Sequence, residues 1–242
     1  MAEQSEKRTG SLQSEMTIAL HTNYAIGLWQ GRRPEKQEQE GDKSARHGII
    51  GMPQFFQRAT LINQDSLKNN PWADEAMYKL DEKIRAASDA MATLIQQLDA
   101  EMSMLPQGVS LTDVASVEPL DVQVFTKTPL GYRCVFLLVG FDQFAKKVLQ
   151  GAHYGLITRS RRDRYLSEGG RLLRQIYGLV LSYRRIDATR FDALENNEIW
   201  QKACAEAGEP DRAVLLGEKR SAFSPPVNEE SVDLLRLRFQ AG

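Results

Sequence analysis

The feature that most constrains the fold is a regular apolar pattern between residues 70 and 106. Its apolar positions recur at spacings of mostly three and four, which is the spacing of one face of a long α-helix. Asn70 can cap the helix and Pro71 suits its first turn, whereas Pro106 and Gly108 stop it. The apolar positions are Met77, Leu80, Ile84, Ala87, Met91, Leu94, Leu98, Met102 and Leu105.

This apolar seam must pack lengthwise against another helix, and two partners are possible. One is a helix of the same chain, which is the commoner outcome for about four heptads in a globular protein. The other is the same helix of a second copy, in a coiled-coil dimer. The pattern alone leaves both open.

Two short segments show the alternation of apolar and polar residues that is typical of a half-buried β-strand. The sequence "LDVQV" lies within a strand predicted at about 119–127, and "MTIAL" lies within one predicted at about 14–22. A strand needs a partner for its backbone hydrogen bonds. The two strands can pair within one chain, or one of them can pair with its copy in a second subunit.

Most of the remaining sequence predicts helices. Thr128 and Pro129 indicate the start of a helix that runs to about residue 150, with a strand as the weaker alternative for "YRCVFLLVGF". Further helices are predicted at about 160–184 and 191–207. Gly169, which belongs to the apolar stripe of the former, and its neighbour Gly170 each cost helix propensity, which indicates a close crossing with another helix.

These elements predict a mainly α-helical fold with a small antiparallel β ribbon, of the α+β class. We expect a mobile N-terminus at 1–13, a single helical domain with two short strands at 14–207, and a mostly irregular C-terminal tail at 208–242. The chain is long enough to bury a core without disulfide bonds.

Catalytic and metal-binding motifs are missing from the sequence. It contains no GxxxxGK[ST], GxGxxG, HExxH or GxSxG motif, and no enzyme activity or cofactor is expected. The three histidines, His21, His47 and His153, are widely separated, so no metal site is expected either. The longest apolar run, "CVFLLVGF", is far too short to cross a bilayer. We expect a cytoplasmic protein.

The net charge of −1 conceals a strong segregation of charge along the chain. Residues 65–121 hold four Lys or Arg against eleven Asp or Glu, whereas residues 127–190 hold thirteen against four. A near-neutral total therefore does not argue against a polyanionic partner, because the local field steers binding.

The basic charge is densest in "TRSRRDRY", at residues 158–165, where a helix is predicted to begin. The positive end of a helix dipole and its free amide groups favour an anion such as phosphate. The alternative is that these arginines pair with the acidic helix of the same chain. The candidate phosphate-binding residues are Arg159, Arg161, Arg162 and Arg164.

A strand, a helix, a connection and a basic-ended helix follow one another in the order of a ribbon-helix-helix module. In that architecture a two-stranded ribbon enters the major groove of DNA while the second helix grips the phosphate backbone. The candidate groove-facing residues are Gln123 and Lys127, beside the apolar Phe125. If the first strand formed the ribbon, they would be Thr17 and His21.

Several blocks of the sequence resemble one protein family. They are "MTIALHTNYAIGLWQGR", "HGIIGMPQFFQRATLINQDSLKNNPWAD", "LGYRCVFLLVGFDQFAKKVLQGAHYGLITR" and "LLGEKRSAFSPPV", and the resemblance covers about residues 14–227. The family is that of the integrating conjugative element proteins, which includes the AcaB-type transcriptional activators of conjugative plasmids.

The resemblance implies a bacterial protein that is encoded on mobile DNA. For the AcaB-type branch it implies an activator of transfer genes that binds promoter DNA through a ribbon-helix-helix-like portion. On this hypothesis the protein is a homodimer, and an activator can also contact RNA polymerase. The alternative function is a structural or adaptor protein of the conjugation machinery that holds a protein partner.

Overall fold

The structure is a computed structural model that describes residues 15–32, 48–105 and 107–240. The N-terminus predicted to be mobile, 1–13, lies outside these residues. The described elements in chain order are β1 (Met16–Leu20), α1 (Asn23–Gln30), α2 (Met52–Leu67), α3 (Pro71–Met102), β2 (Leu120–Val124), α4 (Pro129–His153), α5 (Arg159–Ser182), α6 (Arg190–Glu195), α7 (Glu198–Ala207), α8 (Arg212–Leu215) and α9 (Glu229–Gln240).

Helix α3 is the central element of the fold. The Asn70 side chain accepts the Ala73 N–H at 3.1 Å, so the predicted cap is confirmed. With 32 residues the helix is about 48 Å long. Its apolar seam, from Met77 to Met102, is buried against α2, α4 and α5. Packing within the chain is therefore the alternative that the structure shows.

The two predicted strands pair with each other in antiparallel orientation within one chain. The register runs from Met16 opposite Val124 to Leu20 opposite Leu120. Leu20 and Val124 are buried, and the alternate side chains face solvent. Internal pairing, one of the two alternatives left open by the sequence, is thus observed.

A buried carboxylate helps to attach the segment of β1 and α1 to the core. Asp142, in the middle of α4, accepts the backbone N–H groups of His21 and Thr22, both at 2.9 Å, and the Thr22 hydroxyl at 2.7 Å. The Thr22 hydroxyl oxygen in turn accepts the Ala25 N–H at the start of α1. A buried carboxylate requires such partners, so the N-terminal region has a fixed position on α4.

Helices α4 and α5 begin and cross as the sequence indicates. Thr128 caps α4 by accepting the Gly131 N–H, and Thr158 caps α5 by accepting the Arg161 N–H. At their crossing, a Cβ on Gly169 would lie 2.7 Å from the Phe141 ring. The close crossing predicted at Gly169 is confirmed.

The C-terminal region differs from the sequence-based prediction. The predicted helix at 191–207 is two helices, because Asn196 adopts a left-handed conformation with φ of 51° between α6 and α7. The tail at 208–242, for which a mostly irregular structure was predicted, contains α8 and the twelve-residue α9, and its other described residues lie outside helices. Val232 and Leu235 of α9 are buried, and Leu235 joins a second apolar cluster with Trp72 and Trp200.

A buried ionic network fastens this C-terminal region to the start of α3. Asp74 and Arg190 are both fully buried, and the Arg190 Nη2 lies 2.7 Å from the Asp74 Oδ2. Arg190 also donates to the carbonyl oxygens of Val214 and Leu215, each at 2.8 Å. Arg220 donates to both Asp74 oxygens, at 3.0 and 3.1 Å. One carboxylate thus holds two segments of the C-terminal region.

We expect Arg190→Met to destabilise the protein by about 3 kcal/mol, because it removes one of the two guanidinium partners of the buried Asp74 carboxylate and the Arg190 donor of the Leu215 carbonyl oxygen. Urea unfolding of the full chain measures this change in free energy. Arg85→Met is the matched control: Arg85 is exposed and pairs with Glu82 on the surface of α3. The control should change the free energy of unfolding by less than about 0.5 kcal/mol. Equal effects of the two substitutions would show that the buried network is not required.

Candidate nucleic-acid interface

The predicted arginines lie together on the first two turns of α5. The helix begins at Arg159, directly after its Thr158 cap, and has no acidic residue in its first turn. The amide groups and dipole of this helix end therefore add to the positive charge of the side chains. The four predicted arginines differ, however, in whether a carboxylate of the protein already pairs with them.

Arg161 is held by α3. Its Nε donates to the Glu101 Oε1 at 2.9 Å, and its guanidinium group lies over the Tyr165 ring, 4.9 Å from the centroid. The Tyr165 hydroxyl donates to the same Glu101 oxygen at 2.8 Å. The hydrogen bond from Arg161 lowers the pKa of Glu101, although burial opposes this. For Arg161, the alternative of pairing with the acidic helix is what the structure shows.

The other three arginines pair with a carboxylate of α5 itself or with no described carboxylate. Arg162 pairs with its neighbour Asp163 at 2.7 Å, and Arg164 pairs with Glu168 at 3.3 Å. Arg159 is exposed, and none of the described carboxylates pairs with it. Exposed ion pairs contribute little to stability, so a phosphate group can replace these carboxylates at small cost.

Positive charge continues along the exposed face of α5. Arg164, Arg171 and Arg174, which we call the α5 stripe, follow at spacings of seven and three residues and so share one side of the helix. Partial burial lowers the pKa of Arg174, and the charges of Arg171 and Arg32 lower it further. Arg32, from the end of α1, therefore lies near the stripe.

Sequence reasoning missed Arg32, because no local signal places it there. Its backbone exchanges hydrogen bonds with Ile49, at 2.7 and 2.9 Å. The position of Arg32 depends on this contact and on the packing of α1 against α5. Such a placement is visible only in three dimensions.

The exposed face of the sheet has a different character. Thr17 lies directly opposite Gln123, and both side chains are exposed. The Gln123 Nε2 donates to the Glu15 carboxylate at 3.3 Å, and Asp121 lies on the same face. Two carboxylates therefore flank the predicted base-reading residue, and they disfavour close approach of phosphate groups.

The other predicted sheet residues lie at its margins. Lys127 is exposed in the connection between β2 and α4. Phe125, predicted on the same face as Gln123, is 76% exposed. His21 follows β1 and is half-buried, and its Nδ1 accepts the Ser116 N–H at 3.2 Å. The structure therefore brings Thr17 and Gln123 together but places His21 apart from them.

The sheet residues and the arginines lie near opposite ends of α4. The Gln123 end of the sheet leads directly into the first turn of α4, whereas α5 begins after its last residue, His153. With 25 residues, α4 is about 37 Å long. The two predicted surfaces are thus separate sites, joined by one rigid helix.

Two kinds of feature are absent from the described residues. Across 15–32, 48–105 and 107–240 there is no group of three or more His, Cys, Asp or Glu side chains that could hold a metal ion. In the same part of the chain, no helix combines the length and the hydropathy needed to span a bilayer.

Comparison with known proteins identifies the family. The fold is similar to that of a crystal structure of selenomethionine-containing AcaB from uropathogenic E. coli, with a TM-score of 0.54 and 12% sequence identity over 91% of this chain and 95% of that one. No curated protein matches the sequence. The family model described as "Transcriptional regulator AcaB" matches residues 8–228. The chain therefore belongs to the AcaB family of transcriptional regulators.

Proposed function

We propose that this protein binds promoter DNA and activates conjugative transfer genes on a mobile element. Membership of a family of transcriptional regulators supports the general role. The observation that carries the DNA-binding part of the proposal is the arginine-rich start of α5 with the α5 stripe behind it. The resemblance to AcaB-type activators supports the choice of target genes.

The α5 arginines would supply most of the affinity. Arg159 and Arg162 lie in the first turn of α5, where the helix dipole and the free amides also favour a phosphate. The α5 stripe extends this positive surface by about 15 Å between Arg164 and Arg174. Binding of this kind releases counterions from DNA and weakens steeply as salt rises.

The sheet would supply base selection rather than affinity. A Gln side chain can make two hydrogen bonds to an adenine edge, and Thr17 lies beside Gln123 to add a contact. Lys127 would contact the adjacent backbone. The nearby carboxylates of Glu15 and Asp121 make this face unsuited to unspecific phosphate binding, which favours contact with base edges.

We further propose that the protein acts as a homodimer. Each strand of the two-stranded sheet has a single described neighbour, so the outer edge of β2 can pair with the same edge of a second copy. Such pairing would place two copies of Gln123 on one ribbon. Contact with RNA polymerase would complete the activating role.

The alternative function, an adaptor of the conjugation machinery, loses part of its basis. It assigned a partner to the apolar seam of α3, and that seam is buried by the chain's own helices. The exposed face of α3 remains acidic and could hold a basic protein. An adaptor does not need to bind DNA, so the following measurements separate the two functions.

We expect the double variant Arg159→Gln and Arg162→Gln to weaken binding to promoter and scrambled duplexes alike, on the order of tenfold, because both residues contact phosphates. Fluorescence anisotropy across a salt series measures the affinities. The slope of log affinity against log salt should become shallower by about two. Arg85→Gln, which removes an exposed arginine on α3, is the control and should leave both affinities unchanged. Unaltered binding by the double variant would exclude the start of α5 from the interface.

We expect Gln123→Ala to reduce the preference for promoter over scrambled duplex, by about 1–3 kcal/mol, while affinity for the scrambled duplex stays the same. The change removes a base contact and no phosphate contact. The same anisotropy assay on both duplexes measures the ratio. Gln143→Ala, an exposed glutamine on α4, is the matched control. A preserved ratio in the Gln123 variant would mean that the sheet does not read the sequence.

A further inference from the structure

A cavity of about 230 Å³ lies between α2, the first half of α3 and the end of α5. It lies about 30 Å along the helix axis from Arg159 at the start of α5, whereas Arg174, the last residue of the α5 stripe, is nearer to it. Its walls are mostly apolar: Ile62, Ala76, Leu80, Leu179 and Val180 line it.

One wall is the aromatic ring of Trp72, which is firmly held. Its Nε1 donates to the Gly208 carbonyl oxygen at 3.1 Å, and its ring packs on Trp200 with 4.9 Å between centroids. Trp72 is 7% exposed, so its ring has little freedom to move into the space. The cavity is therefore a preformed site with a flat aromatic wall, suited to a planar ligand.

The rim of the cavity has one uncompensated positive charge. Lys79 and Glu75 neutralise each other in an ion pair of 2.7 Å. Arg184, on the same rim, is exposed, and no carboxylate in the described part of the chain pairs with it. An apolar site with a single free guanidinium group at its mouth fits a ligand with an apolar body and one anionic group.

The sequence outside the described residues is poor in large apolar side chains. Outside the described residues, the segments 1–14 and 33–47 contain only Met1 and Leu12 as large apolar residues, and no aromatic ring other than His47. These segments offer no aromatic side chain apart from His47, so an aromatic occupant of the cavity would be a separate molecule. A cavity of about 150 Å³ can hold benzene, so this one has room for a larger, bicyclic ring.

We propose that this cavity binds a small aromatic monocarboxylate, whose ring packs against Trp72 and whose carboxylate pairs with Arg184. The ligand lies between the end of α5 and the C-terminal region, since Ala207 and Ile186 also line the space. It is thus a second binding site, distinct from the DNA-binding surface proposed above.

The test uses the full chain labelled with 5-fluorotryptophan and requires no DNA. The sequence has three tryptophans, which give three ¹⁹F signals that Trp→Phe variants assign. The probes are indole-3-carboxylate and indole, which share a ring and differ in the anionic group. We expect indole-3-carboxylate to shift the Trp72 signal and leave the Trp29 signal unchanged, and to bind about fivefold more tightly than indole.

Two variants separate the parts of the proposal. Arg184→Gln should remove the fivefold advantage of indole-3-carboxylate and leave indole binding unchanged, whereas Arg85→Gln should alter neither. Ala76→Phe should fill the space and abolish binding of both probes, with circular dichroism to confirm folding. The proposal is overturned if neither probe shifts the Trp72 signal at millimolar concentration, or if the carboxylate keeps its advantage in Arg184→Gln. Because the readout is ligand binding alone, either result is independent of whether the protein binds DNA.

Discussion

The architecture depends on the burial of one carboxylate at the start of the longest helix. Asp74 is fully buried, and a buried charge is tolerated only if it is paired and hydrogen-bonded. Its partners, Arg190 and Arg220, are more than a hundred residues further along the chain, so the C-terminal region must return to the first turn of α3. This return brings Trp200 against Trp72 and closes the second apolar cluster. The same return forms one side of the cavity beside Trp72.

Helix α3 also explains why the charge segregation of the sequence does not translate directly into a uniform basic surface. Its buried seam places its acidic residues beside α4 and α5, where Asp81 pairs with Arg133 and Glu101 pairs with Arg161. Part of the excess positive charge is thereby neutralised within the molecule. Positive charge that no α3 carboxylate neutralises remains at Arg159 and along the α5 stripe. The surface available to an anion is smaller than the residue count implies, but it is better defined.

Helices with clear caps and apolar periodicity could be predicted from the sequence, whereas contacts between distant segments could not. Caps and periodicity were sufficient for α3, α4 and α5, because Asn70, Thr128 and Thr158 each satisfy backbone groups within three residues. The two strands were recognised, but their pairing depends on how Asp142 holds the segment after β1, which alternation cannot reveal. The helices of the tail lack a strong local signal, because α9 is short and is stabilised by contacts with α6 rather than by its own propensity. For the candidate site, the sequence identified the arginine cluster. It could not show that Arg161 pairs with Glu101 of α3, whereas Arg159 pairs with no described carboxylate.

The separation of the two proposed DNA-contacting surfaces has a geometric consequence. Helix α4, about 37 Å long, sets the distance between the Gln123 end of the sheet and the start of α5. One turn of B-DNA advances about 34–36 Å, so positions one turn apart present the same face of the duplex. If the duplex ran along α4, the sheet could meet one major groove while Arg159 and Arg162 met the backbone one turn away. In that arrangement the acidic side chains Glu15 and Asp121 would avoid the phosphates that α5 requires. The length of α4 would then fix the separation between base selection and phosphate binding at opposite ends of a single protomer.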